Sequence, residues 1–382
     1  MKIGMITIHN SCNYGAVLQT FATQESLKPY GQVEIINYQN IHTDKTTKKL
    51  RFGTKPRDVL RFGKDLLRLL PKTRSLKKFT DFFSNYYNLP GAPTQDLSTL
   101  QNNYDVYVCG SDQIWNPEII SESGEIDRNY FLAFNTNSNS KKIAYASSKG
   151  SHIYTSAEAE QASTYLKDFH RISVRESDSA EYFSSTLGRA VEHVVDPTLL
   201  LNKAEWLNAL NIKSVSKRKP YILVYVLRKN KILSQTVREV ARLLKLEIIV
   251  IDQDPFTTLS CNKHINDAGP VEFIELFSNA SFVITNSFHG CAFSVNFNIP
   301  FIVTPPPTGL NRIMSLLKAV GAEQRAIKTK DEAITLASET LNFESTNAKL
   351  QVMRIKSQQF LSEALSTALA EKAGRTLECA SV

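Results

Sequence analysis

Short apolar runs of strand length recur along this chain, each followed by a polar turn and then a helix-length segment; that alternation most constrains its fold. Residues 2–8 read as a buried strand, 14–27 as a helix with Ala16, Leu18, Phe21, Ala22 and Leu27 available for packing, and 33–37 as a second strand. Strand, helix and strand in that order make a βαβ unit, because parallel neighbours need a crossover connection. Further strands are expected at 105–109, 142–146, 171–174, 192–195, 221–227, 247–251, 281–285 and 301–304, with helices at 157–169, 234–244, 271–277 and 288–297 between them. Repeated alternation of this kind predicts α/β architecture with parallel sheets covered by helices. From residue 312 onward the pattern is helical.

At 382 residues the chain exceeds one ordinary hydrophobic core, so two domains of about 150–200 residues are expected. The boundary is placed at Asp196-Pro197-Thr198, where proline discourages helix before it. The expected order is a first Rossmann-like domain over 1–196, a second over 197–325, helices over 326–371 and a disordered tail over 372–382. A basic helical insertion interrupts the first domain at about 45–87. The start of the chain lacks the features of a secretory signal, and no apolar run approaches the ~18 residues of a membrane span. Cys12, Cys109, Cys261, Cys291 and Cys379 are scattered and odd in number, which fits a reducing cytoplasm better than a disulfide framework or zinc site.

Charge is concentrated. Between Lys45 and Lys78, thirteen Lys or Arg stand against Asp58 and Asp65, a net of +11 in a chain whose total is +8. Val59, Leu60, Phe62, Leu66, Leu67, Leu69 and Leu70 in the same stretch suggest an amphipathic helix with a basic face. Two readings stay open: a solvated helical face, or peripheral contact with an anionic inner membrane surface or phosphorylated lipid carrier. Nucleic acid is not an expected partner, since no recognition motif accompanies the charge.

Doubly wound α/β halves bind ligands at the carboxyl ends of their strands, so candidate residues should follow strands. Residues 10–15 do, and a helix opening there presents backbone N–H groups and a positive dipole end to an anion, with Asn13 and Gly15 nearest; a plain capped turn is the alternative. Ser111, Asp112, Gln113, Trp115 and Asn116 follow the strand at 105–109. Their hydrogen-bonding groups suit sugar hydroxyls and Asp112 suits a general base, against a capping Asp and a core Trp. Asn286, Ser287 and His289 follow the strand at 281–285, with His289 in the first turn of the next helix, as general acid or as a hydrogen-bonded structural residue. Arg175 follows the strand at 171–174 and is either a fork-shaped clamp on an anion or half of an ion pair.

Five runs, in order, resemble the polysaccharide pyruvyl transferase family. They are Asn13-Tyr14-Gly15-Ala16-Val17-Leu18-Gln19, Cys109-Gly110-Ser111-Asp112-Gln113-Ile114-Trp115-Asn116, Ile172-Ser173-Val174-Arg175-Glu176, Asp196-Pro197-Thr198-Leu199-Leu200 and Thr285-Asn286-Ser287-Phe288-His289-Gly290. The resemblance implies a GT-B-like fold, two Rossmann-like domains with parallel sheets facing a central cleft, the first on the acceptor side. It also implies transfer of pyruvate from phosphoenolpyruvate to a sugar hydroxyl pair as a cyclic ketal, in capsular, exopolysaccharide or cell-wall glycan synthesis. By the same resemblance His289 is the acid at the donor and Arg175 helps hold it. Asp112 is assigned as base; Asn13, Gly15, Asn286 and Ser287 accompany the donor, and Ser111, Gln113, Trp115 and Asn116 the acceptor. No cofactor or metal is expected beyond phosphoenolpyruvate as co-substrate; the acceptor is a sugar or lipid-linked oligosaccharide. Some members carry Arg two positions before the His, where this chain has Ser287. Arg228, after the strand at 221–227, or Lys149, after that at 142–146, would then supply the missing cation. A nucleotide-sugar glycosyltransferase of the same fold and a non-catalytic glycan- or partner-binding member are the rival readings.

Overall fold

The computed structural model describes residues 1–47, 69–213, 219–254, 256–306, 308–339 and 341–380. Most of the basic segment, residues 48–68, therefore lies outside the described residues. The chain divides into two compact units, Met1–Thr46 with Tyr86–Leu200 and Gln351–Val382, and Thr47–Asn85 with Leu201–Leu350.

The first unit holds a six-stranded sheet of β1 (Lys2–Ile6), β2 (Gln32–Ile35), β3 (Val106–Cys109), β4 (Lys141–Ser147), β5 (Arg171–Val174) and β6 (Glu192–His193), in the order β2-β1-β3-β4-β5-β6. Every pairing is parallel. The central strands are buried along nearly their whole length, as strands covered on both faces must be. Helix α1 (Tyr14–Leu27) crosses from β1 to β2, after which the chain returns past β1 to build β3. The carboxyl ends of β1 and β3 therefore form the topological switch point, where an open α/β sheet leaves a crevice. Over the sheet, Trp115 stacks on Phe131 at 5.2 Å and meets Phe183 edge-on at 5.3 Å. Each such buried ring contributes roughly 1.5–3 kcal/mol.

The second unit repeats the plan with β7 (Tyr221–Tyr225), β8 (Glu247–Ile251), β9 (Lys263–Ile265), β10 (Phe282–Thr285) and β11 (Phe301–Val303), ordered β11-β10-β7-β8-β9 and again all parallel. Connections from β7 run toward β8, and those after β10 run the other way, so the switch point lies between β7 and β10. Tyr225, Phe273, Phe277 and Phe293 make a contiguous aromatic core beneath it.

The expected strands are all present within one or two residues at most ends, and β9 is an addition. Its three residues carry Lys263 and His264, so no apolar run marks it. The larger difference is in the division of the chain, which is interleaved rather than serial. The helix Leu69–Tyr86, within the expected insertion, docks on the second unit: Arg74 pairs with Asp267 at 2.6 Å, Lys78 with Glu272 at 2.6 Å, and Ser75 donates to the Ala268 carbonyl. The closing helix Phe343–Ala380 brings Ser357, Phe360 and Leu361 into the first unit; Ser357 accepts from the Val195 N–H at 3.0 Å. That helix runs on to Ala380 where a disordered tail is expected, because Ala, Leu, Glu and Arg in 369–380 are strong helix formers. Among the described residues no helix is long and apolar enough to cross a membrane.

Candidate functional site

At the first switch point, two loops are tied into one. Gln19, one turn into α1, accepts from the Ser111 N–H at 3.1 Å and donates to the Thr7 hydroxyl at 2.9 Å; that hydroxyl in turn donates to the Ser111 carbonyl at 2.9 Å. Both backbone groups of Ser111 are thus held by buried side chains of β1 and its helix. Gly110 can occupy its position because its backbone takes φ +113° and lies against the Tyr145 carbonyl, where a Cβ would come to 2.2 Å. Two positions on, Asp112 sits at φ +69°, a left-handed conformation that Asp tolerates better than most side chains.

Asp112 Oδ1 accepts from Arg175 Nη2 at 3.0 Å. The same guanidinium gives Nη1 to Asp196 Oδ2 at 2.8 Å and Nε to Glu176 Oε1 at 3.1 Å. One cation therefore faces three carboxylates in the interior. Burial alone would disfavour the Arg175 charge, but Asp112, Glu176 and Asp196 outweigh it and hold the group firmly protonated. Asp196 is also held by the Thr198 N–H and hydroxyl, and Glu176 by the Ser148 hydroxyl. Side-chain exposure separates the members: 11% for Asp112 against 0% for Arg175 and Asp196 and 1% for Glu176. Asp112 is the member that reaches the surface, and its Oδ2 makes no hydrogen bond among the described residues.

At the second switch point Asn286 links the two strand ends. Its Oδ1 accepts from the Leu227 N–H at 2.8 Å and its Nδ2 donates to the Arg228 carbonyl at 2.7 Å. The loop bearing the exposed Arg228 is thereby fastened to the start of the helix Phe288–Asn296. Ser287 caps that helix, its hydroxyl accepting from the Gly290 N–H, and His289 lies in the first turn with its ring edge-on to Phe288 at 5.1 Å. Gly290 lets the helix close on β10: a Cβ there would meet the Thr285 hydroxyl oxygen at 2.2 Å, and Thr285 is itself pinned to the Tyr225 carbonyl at 2.6 Å. Burial pushes the Tyr225 phenol up to about 12, with the Ser287 hydroxyl opposing the rise.

These placements give several of the expected ligand residues partners inside the protein. Arg175 is spent on internal carboxylates and its side chain is fully buried. Ser111 is buried, with its hydroxyl donating to the Ala146 carbonyl at 2.8 Å. Trp115 is a core residue, its indole N–H on the Tyr130 carbonyl at 3.2 Å. Asn116 is buried and caps the short helix Pro117–Ile120, while its Nδ2 donates to Gln113 Oε1 at 3.0 Å. Asn13 caps α1 by accepting from the Gly15 N–H at 2.9 Å. Lys149 donates to the His152 carbonyl at 2.9 Å and lies over the Tyr182 ring, so it is committed within the first unit. The side chains of Asn13 and Asn116 are taken up by the turns they help to build. Gln19, Glu176 and Asp196 carry structural weight that was not assigned to them; their signal was their presence in the motif runs directly beside Ser111 and Arg175. Among the described residues no group of three His, Cys, Asp or Glu side chains is placed to hold a metal ion.

The family model for polysaccharide pyruvyl transferase matches residues 13–306, from the first switch-point loop through β11. The chain belongs to that family. A comparison with curated proteins finds no match. Among solved structures, UDP-GlcNAc 2-epimerase from Methanocaldococcus jannaschii is similar with a TM-score of 0.50 at 14% identity, over 90% of this chain and 93% of that one. UDP-N-acetylglucosamine 2-epimerase from Rickettsia bellii gives 0.48 at 8% identity over 96% and 97%, and Thermobaculum terrenum O-GlcNAc transferase 0.45 at 12% over 96% and 69%. The fold of this pyruvyl transferase family member is of the GT-B type, with two Rossmann-like units built on parallel sheets.

Proposed function

We propose that this protein transfers pyruvate from phosphoenolpyruvate to two hydroxyls of a sugar acceptor, forming a cyclic ketal and releasing phosphate. The observation that carries the reading is the fastening of the Arg228 loop to the His289 helix end by Asn286. It supports a donor site in which a guanidinium, a helix amino end and an imidazole serve one small dianion. Arg228 then does the work of the arginine that some family members place two positions before the His.

In this scheme His289 gives a proton to the methylene carbon of the donor, and positive character develops at C2. A sugar hydroxyl adds to C2 and loses its proton to Asp112. Phosphate leaves with the electron pair of its C–O bond, and the second hydroxyl closes the ring at C2, its proton passing to the now neutral imidazole of His289. The atoms balance without water: donor and diol become ketal and inorganic phosphate. Arg175 is a positioning residue, holding Asp112 Oδ1 so that Oδ2 is presented outward. No cofactor takes part in these steps. The setting is polysaccharide synthesis at the cytoplasmic face, and Arg57, Arg61, Lys64 and Arg68, which lie outside the described residues, would serve peripheral contact with anionic lipid.

The test is incubation with phosphoenolpyruvate and a panel of oligosaccharides. Phosphate release together with a product heavier than its acceptor by pyruvate less one water is expected, abolished in His289→Ala and reduced at least 100-fold in Asp112→Asn, as removal of a general acid or base predicts. Transfer that survives His289→Ala, or heat protection by nucleotide-sugars but not by phosphoenolpyruvate, would overturn the reading.

A further inference from the structure

At the amino end of the first sheet, far from Asp112, the described residues line an open pocket of about 660 Å³. It opens where β4 and β5 begin, and the seven residues of β4 put ~20 Å between this end and the loop that carries Asp112. Arg128, Lys141, Lys142 and Lys167 line it, and Asp168 is the one carboxylate among the lining residues. Among the described residues no carboxylate comes within ion-pair distance of Arg128, Lys142 or Lys167. The carbonyls of the adjoining turn do not offset this charge, because Arg189 already donates to Lys167, Phe169 and His170 there.

Lys167 follows the helix Ser156–Leu166, where a cation is favoured by the helix dipole, and that explains its place without a ligand. Arg128 and Lys142 have no such reason to be there. Lys142 is half-buried, and burial depresses its ammonium below the ordinary lysine value, with only the field of Asp168 and Cys109 opposing. Arg128, Lys142 and Lys167 line one pocket, and like charges gathered on one pocket repel one another unless an anion joins them. Lysine ammoniums as point charges and an arginine fork are the donors that phosphate oxygens take.

We propose that this pocket is a second anion site, separate from the donor site, and that its ligand is a diphosphate group. One phosphate would fill little of the volume, whereas a diphosphate can engage Arg128, Lys142 and Lys167 together and leaves room for an attached sugar. Such a group reaches the protein either as a soluble diphosphate or on the headgroup of a lipid-linked saccharide.

Titration calorimetry of inorganic pyrophosphate into the full chain, at about 0.15 M salt so that weak surface attraction is screened, tests the site. Wild type should bind, Lys142→Gln/Lys167→Gln should bind at least tenfold more weakly, and His289→Ala should match wild type. Arg128→Gln/Lys167→Gln, which changes only exposed side chains, should also lose affinity; it keeps the test decisive if Lys142→Gln impairs folding. No pyrophosphate binding by wild type, or equal affinity in both double variants, overturns the proposal. Phosphoenolpyruvate should still protect both double variants from heat, so a failed donor reading and a failed second site are told apart. Co-sedimentation with phosphatidylcholine vesicles carrying farnesyl diphosphate, if lost in the double variants, assigns the lipid-borne source. Pyrophosphate binding without co-sedimentation assigns the soluble one.

Discussion

Arg175 carries a charge that Asp112, Glu176 and Asp196 hold in place, and removing it would leave three carboxylates buried without their cation. Arg175→Met is therefore expected to cost about 3–5 kcal/mol of stability, read as a lower urea midpoint. A residue that only gripped substrate would raise KM and leave the midpoint unchanged. A second residue-scale expectation concerns pH. Burial lowers the pKa of His9 and of His193 below the ordinary 6.5. Below pH 6.5 the unfolded chain takes up these protons while the folded chain does not, so stability falls as pH falls through that value; above it the contribution of the neutral rings is fully present. Urea midpoints measured from pH 7.5 to 5.5 should decline, and His9→Gln should flatten the decline. Side chains of this kind were visible as motif members, but whether Arg175 faced a ligand or three carboxylates depended on Asp112 and Asp196, 63 and 21 residues away.

Among the elements, the strand-to-helix loops at each switch point carry the residues to which function is assigned by the proposal. The loop after β7 has an exposed Leu227 and Arg228 and is held by Asn286 on β10's following turn. Asn286→Ala removes both bonds, and because the loop is open to solvent its freed groups can be hydrated, so the loss of stability should stay near 1 kcal/mol. The expected effect lies in function: KM for phosphoenolpyruvate should rise about tenfold, the equivalent of one well-placed charged hydrogen bond, with circular dichroism unchanged. An unchanged KM would remove Arg228 from the donor site. The elements themselves were legible, because parallel strands buried on both faces read as plain apolar runs. The short β9 was not, since Lys263 and His264 break any such run and only its pairing with β8 makes it a strand.

For the whole molecule, interleaving has a consequence for folding. Ending the chain at Leu350 would remove Phe360, Leu361, Ala364 and Leu365 from the first unit and leave the Val195 N–H without Ser357. Losing three large side chains at roughly 1.5–3 kcal/mol each approaches the total stability of a domain. Residues 1–350 are expected to show the first unit unfolded by amide exchange while the second, which holds 201–350, keeps its protection. Comparable protection in both would mean that the closing helix contributes little. By itself the sequence determined the α/β class, the positions of every strand but β9, the family and the two loops that carry Asp112 and His289, since all of these follow from local apolar periodicity and short motifs. Only the tertiary structure decided that Trp115, Ser111 and Arg175 turn inward, that Arg228 lies beside the His289 helix, and which unit each end of the chain joins. Those outcomes depend on pairings between residues distant in sequence, and a local pattern holds no record of its partner.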